Sequence, residues 1–130
     1  MPDATTQELL SLNQQLLESI ATGDWDAYQR LCDPSLTAFE PEALGHLVEG
    51  MSFHRFYFDL KSSGPRNTTM VAPQVRLLGD TAIVTYVRLV QRLDEQQRPI
   101  TVECEETRVW HKGAQGWRHV HFHRSHNAPA

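Results

Sequence analysis

The sequence predicts an α+β fold in which helices pack on one face of a bent, mostly antiparallel sheet. Apolar residues recur at helical spacing through the first thirty residues, whereas β-branched runs separated by turn residues fill the second half of the chain. The composition, 40% hydrophobic and 22% charged, is typical of a globular protein. With 130 residues, the chain is long enough for one core, so residues 1–130 are expected to form a single domain.

Two helices are predicted in the first thirty residues from their caps and their apolar spacing. Thr5 and Glu8 have the spacing of a capping box, and Gly23 is a typical helix end. Asp24 is expected to cap a second, short helix over 25–31. The apolar face of the first helix consists of Leu9, Leu12, Leu16 and Ile20.

The middle of the chain combines short strands with an aromatic helix. Residues 36–39 and 45–48 resemble short strands around a Pro-Glu turn. Residues 51–61 are predicted to form a third helix, which the Ser-Ser-Gly-Pro stretch at 62–65 ends. Its apolar positions at helical spacing are Phe53, Phe56, Tyr57 and Leu60.

The second half of the chain is predicted to be a meander of antiparallel strands ending in a short polar tail after Ser125. Turn residues at 79–80, 94–99 and 112–116 separate the strands. The predicted strands cover residues 68–78, 81–93, 100–111 and 117–124.

Charge and cysteine content exclude several functional classes. A net charge of −4 argues against a nucleic-acid partner or an anionic membrane surface. The first residues lack the pattern of a signal peptide, and no apolar run approaches the length of a membrane span. Two cysteines make neither a disulfide framework nor a zinc site, so we expect a cytoplasmic domain without a metal or other cofactor.

Strand alternation predicts that three arginines share one face of the meander. If paired residue numbers sum to about 194–196 and then to about 228, Arg88, Arg108 and Arg124 lie together on adjacent strands. Glu106 is the nearest carboxylate, and one carboxylate does not neutralise three cations. One interpretation is a pocket that binds a small carboxylate or other anion. The alternative is that the arginines extend to water at the strand ends.

The histidines also allow two interpretations each. His119, His121 and His123 alternate along one predicted strand, so they share a face that either binds a metal with His111 or forms a polar surface or subunit contact. His54, on the aromatic helix, is either a pocket residue that acts as a general base or a structural histidine.

No nucleophile motif is present, so no catalytic residue is predicted. Cys32 follows a predicted helix end, where the helix dipole does not activate a thiolate, and Cys104 lies in mid-strand on the expected buried face. The sequence contains no G-x-S-x-G, no glycine-rich phosphate loop and no H-E-x-x-H.

Three stretches resemble a known family. These are LCDPSLTAFEPEALGHLVEGMSFHRFYF at 31–58, EETRVWH at 105–111 and VHFHRS at 120–125. They strongly resemble the association domain, or hub, at the C-terminus of calcium/calmodulin-dependent protein kinase II, and the likeness runs over about 7–125, which is the expected core. The resemblance implies the cone-shaped fold of the nuclear transport factor 2 superfamily, in which a long N-terminal helix and two shorter ones pack on a strongly curved sheet.

The resemblance also implies self-association and a ligand cavity. Hub domains of the family form homodimers that assemble into closed, ring-like homo-oligomers, and they catalyse no known reaction. The arginines of their cavity, which accept small carboxylates, fall here on Arg88, Arg108 and Arg124. The same cavity is expected to include His54 and Tyr28.

Two departures from the family are expected to matter. This chain contains no kinase domain, calmodulin-binding segment or linker ahead of the hub, so a stand-alone hub is expected. The loop at 61–66, which borders the cavity, is shorter than in kinase hubs, which affects the choice of ligand.

Three functions therefore compete. The first is an oligomerisation domain with an anion-binding cavity formed by Arg88, Arg108, Arg124, His54, Tyr28 and Glu106. The second is a small isomerase or dehydratase that uses His54 with Tyr28 or Tyr86 as acid–base groups. The third is a structural scaffold whose arginines only pair with Glu106 and its neighbours.

Overall fold

The computed structural model describes residues 3–60 and 64–126 and confirms the α+β fold. In these residues, three α-helices accompany one six-stranded sheet whose strand order is β2-β1-β6-β5-β4-β3. All neighbouring strands are antiparallel except β1 and β6, which are parallel. The helices are α1 (Ala4–Thr22), α2 (Trp25–Leu31) and α3 (Ser52–Asp59). The strands are β1 (Cys32–Phe39), β2 (Val48–Glu49), β3 (Asn67–Leu78), β4 (Thr81–Leu93), β5 (Pro99–Gly113) and β6 (Gly116–Arg124).

Several predicted features lie outside the described residues. These are the last residue of the aromatic helix at 61, the start of the break at 62–63 and the final residues of the tail at 127–130. The loop at 61–66, which is predicted to be short, is therefore described only from Gly64 onward.

The predicted capping box of the first helix is wrong. The N-cap is Asp3, two residues before Thr5, and its carboxylate accepts a 2.7 Å hydrogen bond from the Thr6 amide. Aspartate caps as well as threonine does, and its charge also interacts favourably with the helix dipole. At the other end Gly23 ends the helix with a left-handed φ of 71°, as predicted.

The first two strands differ from their predicted bounds. β1 is four residues longer than predicted and includes Pro34, while β2 is limited to Val48–Glu49. Pro34 has no amide hydrogen, and the pairing of β1 with β6 shifts register between Cys32 and Thr37. The strand therefore passes the proline without a complete ladder of hydrogen bonds.

The core lies between α1 and the inner face of the sheet. Leu9, Leu16 and Leu17 of α1 are fully buried, and they belong to the same cluster of buried side chains as Val84 and Trp110. Their burial follows the predicted helical spacing. A polar contact adds to this packing, because the Trp110 indole donates to Oδ1 of the buried Asn13 at 3.0 Å.

Up to a β-bulge between β5 and β6, the numbers of paired residues sum to even values, as predicted, but the sums differ from the predicted ones. Thr81 pairs with His111, so paired residues of β4 and β5 sum to 192 instead of 194–196. Glu106 pairs with Arg124, which gives 230 instead of 228 at that end of β5 and β6. A β-bulge then shifts the register between Val109 and Trp110. The even sums keep Arg88, Glu106 and Arg124 on one face, whereas the bulge changes the face of residues beyond it.

Candidate functional site

A cavity of about 320 Å³ opens between the helices and the inner face of the sheet. All three helices contribute to its wall, together with residues of β3 to β6 and the Pro41–Ala43 turn. Five of the six predicted site residues line it, namely Tyr28, His54, Arg88, Arg108 and Arg124. The sixth, Glu106, is buried behind the arginines.

Strand register brings the arginines together. Tyr86 and Arg88 on β4 face Glu106 and Cys104 on β5, and Glu106 in turn faces Arg124 on β6. Side chains two residues apart on a strand point to the same face. The alternating pattern of the sequence, once the strands pair with even sums, therefore places these groups on the inner side of the sheet.

Glu106 is the centre of a buried charge cluster. Its carboxylate lies 3.1 Å from Nη1 of Arg88 and 3.1 Å from Nη2 of Arg108, and it accepts a short hydrogen bond from the Tyr86 hydroxyl. Burial by itself raises the pKa of Glu106, but the two guanidinium groups outweigh it and lower the pKa to about 2. Burial raises the pKa of Tyr86 to about 12, so that hydroxyl remains a donor.

Arg108 is held in place by its surroundings. Its Nε donates to the Tyr86 hydroxyl at 2.9 Å, its Cζ lies 4.3 Å from the Phe122 ring centroid, and only 1% of the residue is exposed. Burial opposes its charge, but Glu106 raises the pKa of the guanidinium overall. Arg108 therefore forms a fixed, charged part of the wall.

Arg124 has a partner that the sequence analysis missed. Its Nη2 donates to Oε1 of Glu42, whose side chain is 40% exposed. Burial raises the pKa of Glu42, but the hydrogen bond and the charge of Arg124 lower it overall. Glu42 lies in the short turn Pro41–Ala43, where no periodic pattern predicts which way a side chain points. The only available signal is the pair of glutamates that flank Pro41.

His54 is paired with the other of these glutamates. Its Nε2 lies 2.9 Å from Oε1 of Glu40, and both residues are buried. The imidazole also packs against Tyr28 and Phe122, with ring centroids 6.0 Å and 5.4 Å away. Among the described residues, its Nδ1 is a buried nitrogen without a hydrogen-bond partner. Glu40 is thus a second carboxylate of the site that the sequence analysis missed.

The predicted face of three histidines is wrong. The bulge places His119 opposite Trp110, so His119 points inward and is fully buried, with Nδ1 3.5 Å from Sγ of Cys32. His121 instead contacts Oγ1 of Thr37 at 2.7 Å, on the opposite face. In the part of the chain that the structure describes, no group of three potential ligands is placed to hold a metal.

The two cysteines occupy different environments. Cys32 caps the C-terminal end of α2, and burial raises the pKa of its thiol to about 12. Cys104 lines the cavity beside Arg88, and burial together with Glu106 raises its pKa as well. Both thiols are therefore protonated at neutral pH and are poor nucleophiles.

The sequence and the fold match one family. The sequence model of the calcium/calmodulin dependent protein kinase II association domain matches residues 5–128, nearly the whole chain. The chain belongs to this family. The kinase's delta subunit from Oryctolagus cuniculus is 52% identical over 126 residues, which cover 94% of this chain. Those residues make up only 24% of that relative, so this chain spans about a quarter of the length of the curated protein it matches.

Solved structures support both the family and the wider fold. The association domain of the C. elegans kinase superposes with a TM-score of 0.90 at 47% identity, covering 95% of this chain and 96% of the other. A nuclear transport factor 2-like protein from Salmonella enterica superposes with a TM-score of 0.78 at 24% identity, covering 95% and 92% of the two chains, which shows a shared fold. The predicted NTF2-like cone is thereby confirmed. Among the described helices, none has the length and apolar character to cross a membrane.

Proposed function

We propose that this domain assembles with copies of itself, first as a homodimer and then as a larger, ring-like homo-oligomer. Its membership in a family of association domains supports this function. The proposal concerns the domain alone, because the chain matches only a quarter of the length of its kinase relative.

Large apolar side chains that remain exposed supply the surface for self-association. The exposed fractions are 62% for Phe56 and 43% for Tyr57 on α3, and 58% for Leu60, the residue that follows this helix. Leu44 and Leu47, in the segment before β2, are 84% and 44% exposed. A monomeric protein rarely exposes several large apolar residues on one short helix, whereas burial in an interface stabilises them.

Size measurement tests the assembly. Light scattering after size exclusion should give a mass several times the 14.9 kDa of one chain at micromolar concentration. Phe56→Asp, which places a charge on the exposed apolar surface of α3, should reduce that mass. Gln15→Asp, an exposed position on α1, is the control and should leave it unchanged. A monomeric wild-type protein would contradict the proposal.

We also propose that the cavity binds a small carboxylate or a similar anion. Among the described residues, five arginines line it against three glutamates, with Glu106 behind them, so these groups carry one positive charge in excess when His54 is neutral. The whole chain carries −4, so this excess is local. Arg88 and Arg124 remain accessible, with 12% and 16% of their side chains exposed, whereas Arg108 is only 1% exposed. In the same wall, Arg66 is exposed and Arg92 is half-buried. A carboxylate can accept two parallel hydrogen bonds from a guanidinium.

Acetate is a direct probe of this site. Acetate should raise the melting temperature of the wild-type protein, since a ligand that binds only the folded state stabilises it, while its neutral isostere acetamide should not. Arg88→Ala and Arg124→Ala should lose the shift, and Arg98→Ala, an exposed arginine of the β4–β5 turn, should keep it. Equal shifts in all variants would place acetate elsewhere and reject the site.

A further inference from the structure

We propose that the cavity binds a dicarboxylate whose two carboxylates are separated by an apolar chain. Arg88 and Arg124 hold one carboxylate at the inner end of the cavity, and Arg66 and Arg92, the outer pair, hold the other. The inference rests on the proposed anion-binding function and adds a second carboxylate subsite to it.

The pairing of β4 with β5 separates the two ends of this site. Three successive rows of the inner face pair residues of the two strands: Arg88 with Cys104, Val90 with Val102, and Arg92 with Ile100. Side chains at every second position of a strand lie on one face, so Arg88 and Arg92 flank the row of Val90. Four residues of an antiparallel strand span about 13 Å, which is the separation of the two arginine Cα atoms.

The outer pair is formed by residues of two neighbouring strand ends. Asn67 of β3 pairs with Gln91 of β4, and continuing this antiparallel register by one residue places Arg66 opposite Arg92. Residues directly opposite one another in such a pair have Cα atoms about 5 Å apart. Both arginines also line a neighbouring groove of about 390 Å³, and Arg66 is exposed while Arg92 is half-buried. The outer pair is therefore reached from solvent.

The charge of the outer pair is not neutralised by any carboxylate of the described residues. The salt bridges of the cavity wall all involve the inner arginines, and Arg92 donates instead to the carbonyl oxygen of Leu93, at 3.4 Å. Glu103 also lines the cavity, but it pairs with Leu89 and forms no salt bridge with Arg66 or Arg92. Like charges directly opposite one another on two strands destabilise a sheet. A bound carboxylate would remove this repulsion.

The row between the two ends suits an apolar chain. Val90 and Val102 are half-buried and line the cavity there. Thr68, which pairs with Val90 from β3, already accepts a 3.3 Å hydrogen bond from Nε of Arg88 through its hydroxyl. Methylene groups over this row would lose contact with water and gain contact with the two valines, which is favourable.

The separation of the arginines selects the length of the ligand. Hydrogen bonds of about 2.9 Å at each end take up part of the distance of about 13 Å, which leaves room for about four to six methylene groups between the carboxylates. Adipate, with four methylene groups, is long enough to reach both ends. Malonate, with one, is too short to do so.

Titration calorimetry at neutral pH and constant ionic strength tests the second subsite. Hexanoate is the matched control, because it has as many carbon atoms as adipate but only one carboxylate. Wild-type protein should bind adipate about tenfold more tightly than hexanoate, the usual effect of one more charge-assisted hydrogen bond. Malonate should show no such advantage over propanoate, since its second carboxylate does not reach the outer pair.

Substitutions of the outer pair assign the effect to these residues. Arg92→Gln should abolish the preference for adipate and leave the affinity for hexanoate nearly unchanged, because the single carboxylate of hexanoate lies at the inner end. Arg66→Gln changes an exposed residue ahead of β3 and should also reduce the preference, without the risk to folding of a half-buried position. Arg98→Gln removes the same charge from the β4–β5 turn, outside the cavity, and should keep the tenfold preference.

The outcomes separate the second subsite from anion binding itself. Equal affinities of wild-type protein for adipate and hexanoate would overturn the dicarboxylate site and leave the inner anion site in place. A preference for adipate that persists in both Arg92→Gln and Arg66→Gln, or a similar preference for malonate over propanoate, would also overturn it. Failure of wild-type protein to bind either six-carbon acid would reject both the second subsite and the anion-binding function.

Discussion

At the scale of single residues, Glu106 stabilises a charge cluster that would be unfavourable without it. Two guanidinium groups and the Tyr86 hydroxyl surround its carboxylate, which is 2% exposed. A buried ion pair contributes little net stability compared with apolar packing, but removing one partner leaves an uncompensated charge in the core. Arg108, 1% exposed, would be that charge.

Glu106→Gln should therefore reduce the free energy of unfolding by about 3–5 kcal/mol. Urea denaturation measures this change. Glu105→Gln is a matched control, since Glu105 is the neighbouring residue on the exposed face of β5 and should change stability by less than about 0.5 kcal/mol. Equal effects of the two substitutions would show that the buried cluster is not energetically distinct.

The lowered pKa of His119 predicts how the free energy of unfolding depends on pH. Burial and the nearby charge of Arg108 lower its pKa well below the ordinary value of 6.5. The unfolded chain gains a proton as the pH falls through 6.5, but the folded protein does not, so stability is fully present above that pH and is lost below it. Glu106 adds a second decline between pH 4.5 and about 2.

His119→Phe should flatten the decline in the free energy of unfolding between pH 6.5 and 5. His111→Phe, which changes an exposed histidine on β5, should leave the slope unchanged. The measurement is chemical denaturation at a series of pH values. If the wild-type protein and His119→Phe lost stability in parallel across this window, another group would be responsible.

At the scale of elements, α1 is anchored to the sheet by one continuous apolar face. Leu16 is fully buried in the middle of that face, whereas Leu44, in the segment before β2, is 84% exposed. Leu16→Ala should lower the free energy of unfolding by about 2–5 kcal/mol, since it leaves a cavity between helix and sheet. Leu44→Ala makes the same chemical change at an exposed position and should lower the free energy of unfolding much less. Urea denaturation of both variants measures the difference.

The arrangement of helices and strands also explains which side chains come into contact. Helical spacing predicted the buried face of α1, and strand alternation predicted that Arg88 and Arg108 share a face. The bulge between β5 and β6 is a local change of one residue, yet it turns His119 from the expected outer face into the core. No pattern in the sequence marks the bulge, because it depends on how two separate strands settle against each other.

At the scale of the whole molecule, self-association should make stability depend on concentration. If only the folded chain assembles, the melting temperature rises with protein concentration by mass action. Calorimetry over a hundredfold range of concentration should show this rise, and Phe56→Asp should weaken it. A melting temperature independent of concentration would contradict assembly at these concentrations.

The sequence by itself determined the order of helices and strands and the family to which the chain belongs, and strand alternation predicted that the arginines share a face. Local spacing, turn residues and long matching stretches carry that information because they act within short segments of the chain. Only the tertiary structure decided the partners of the charged groups: Glu42 for Arg124, Glu40 for His54 and Cys32 for His119. The paired residues lie 14 to 87 positions apart in the sequence. Their contacts depend on the direction of the chain at the Pro41–Ala43 turn and on the register shift between β5 and β6. Pairing across such distances follows from the packing of the whole fold, which no local pattern of residues specifies.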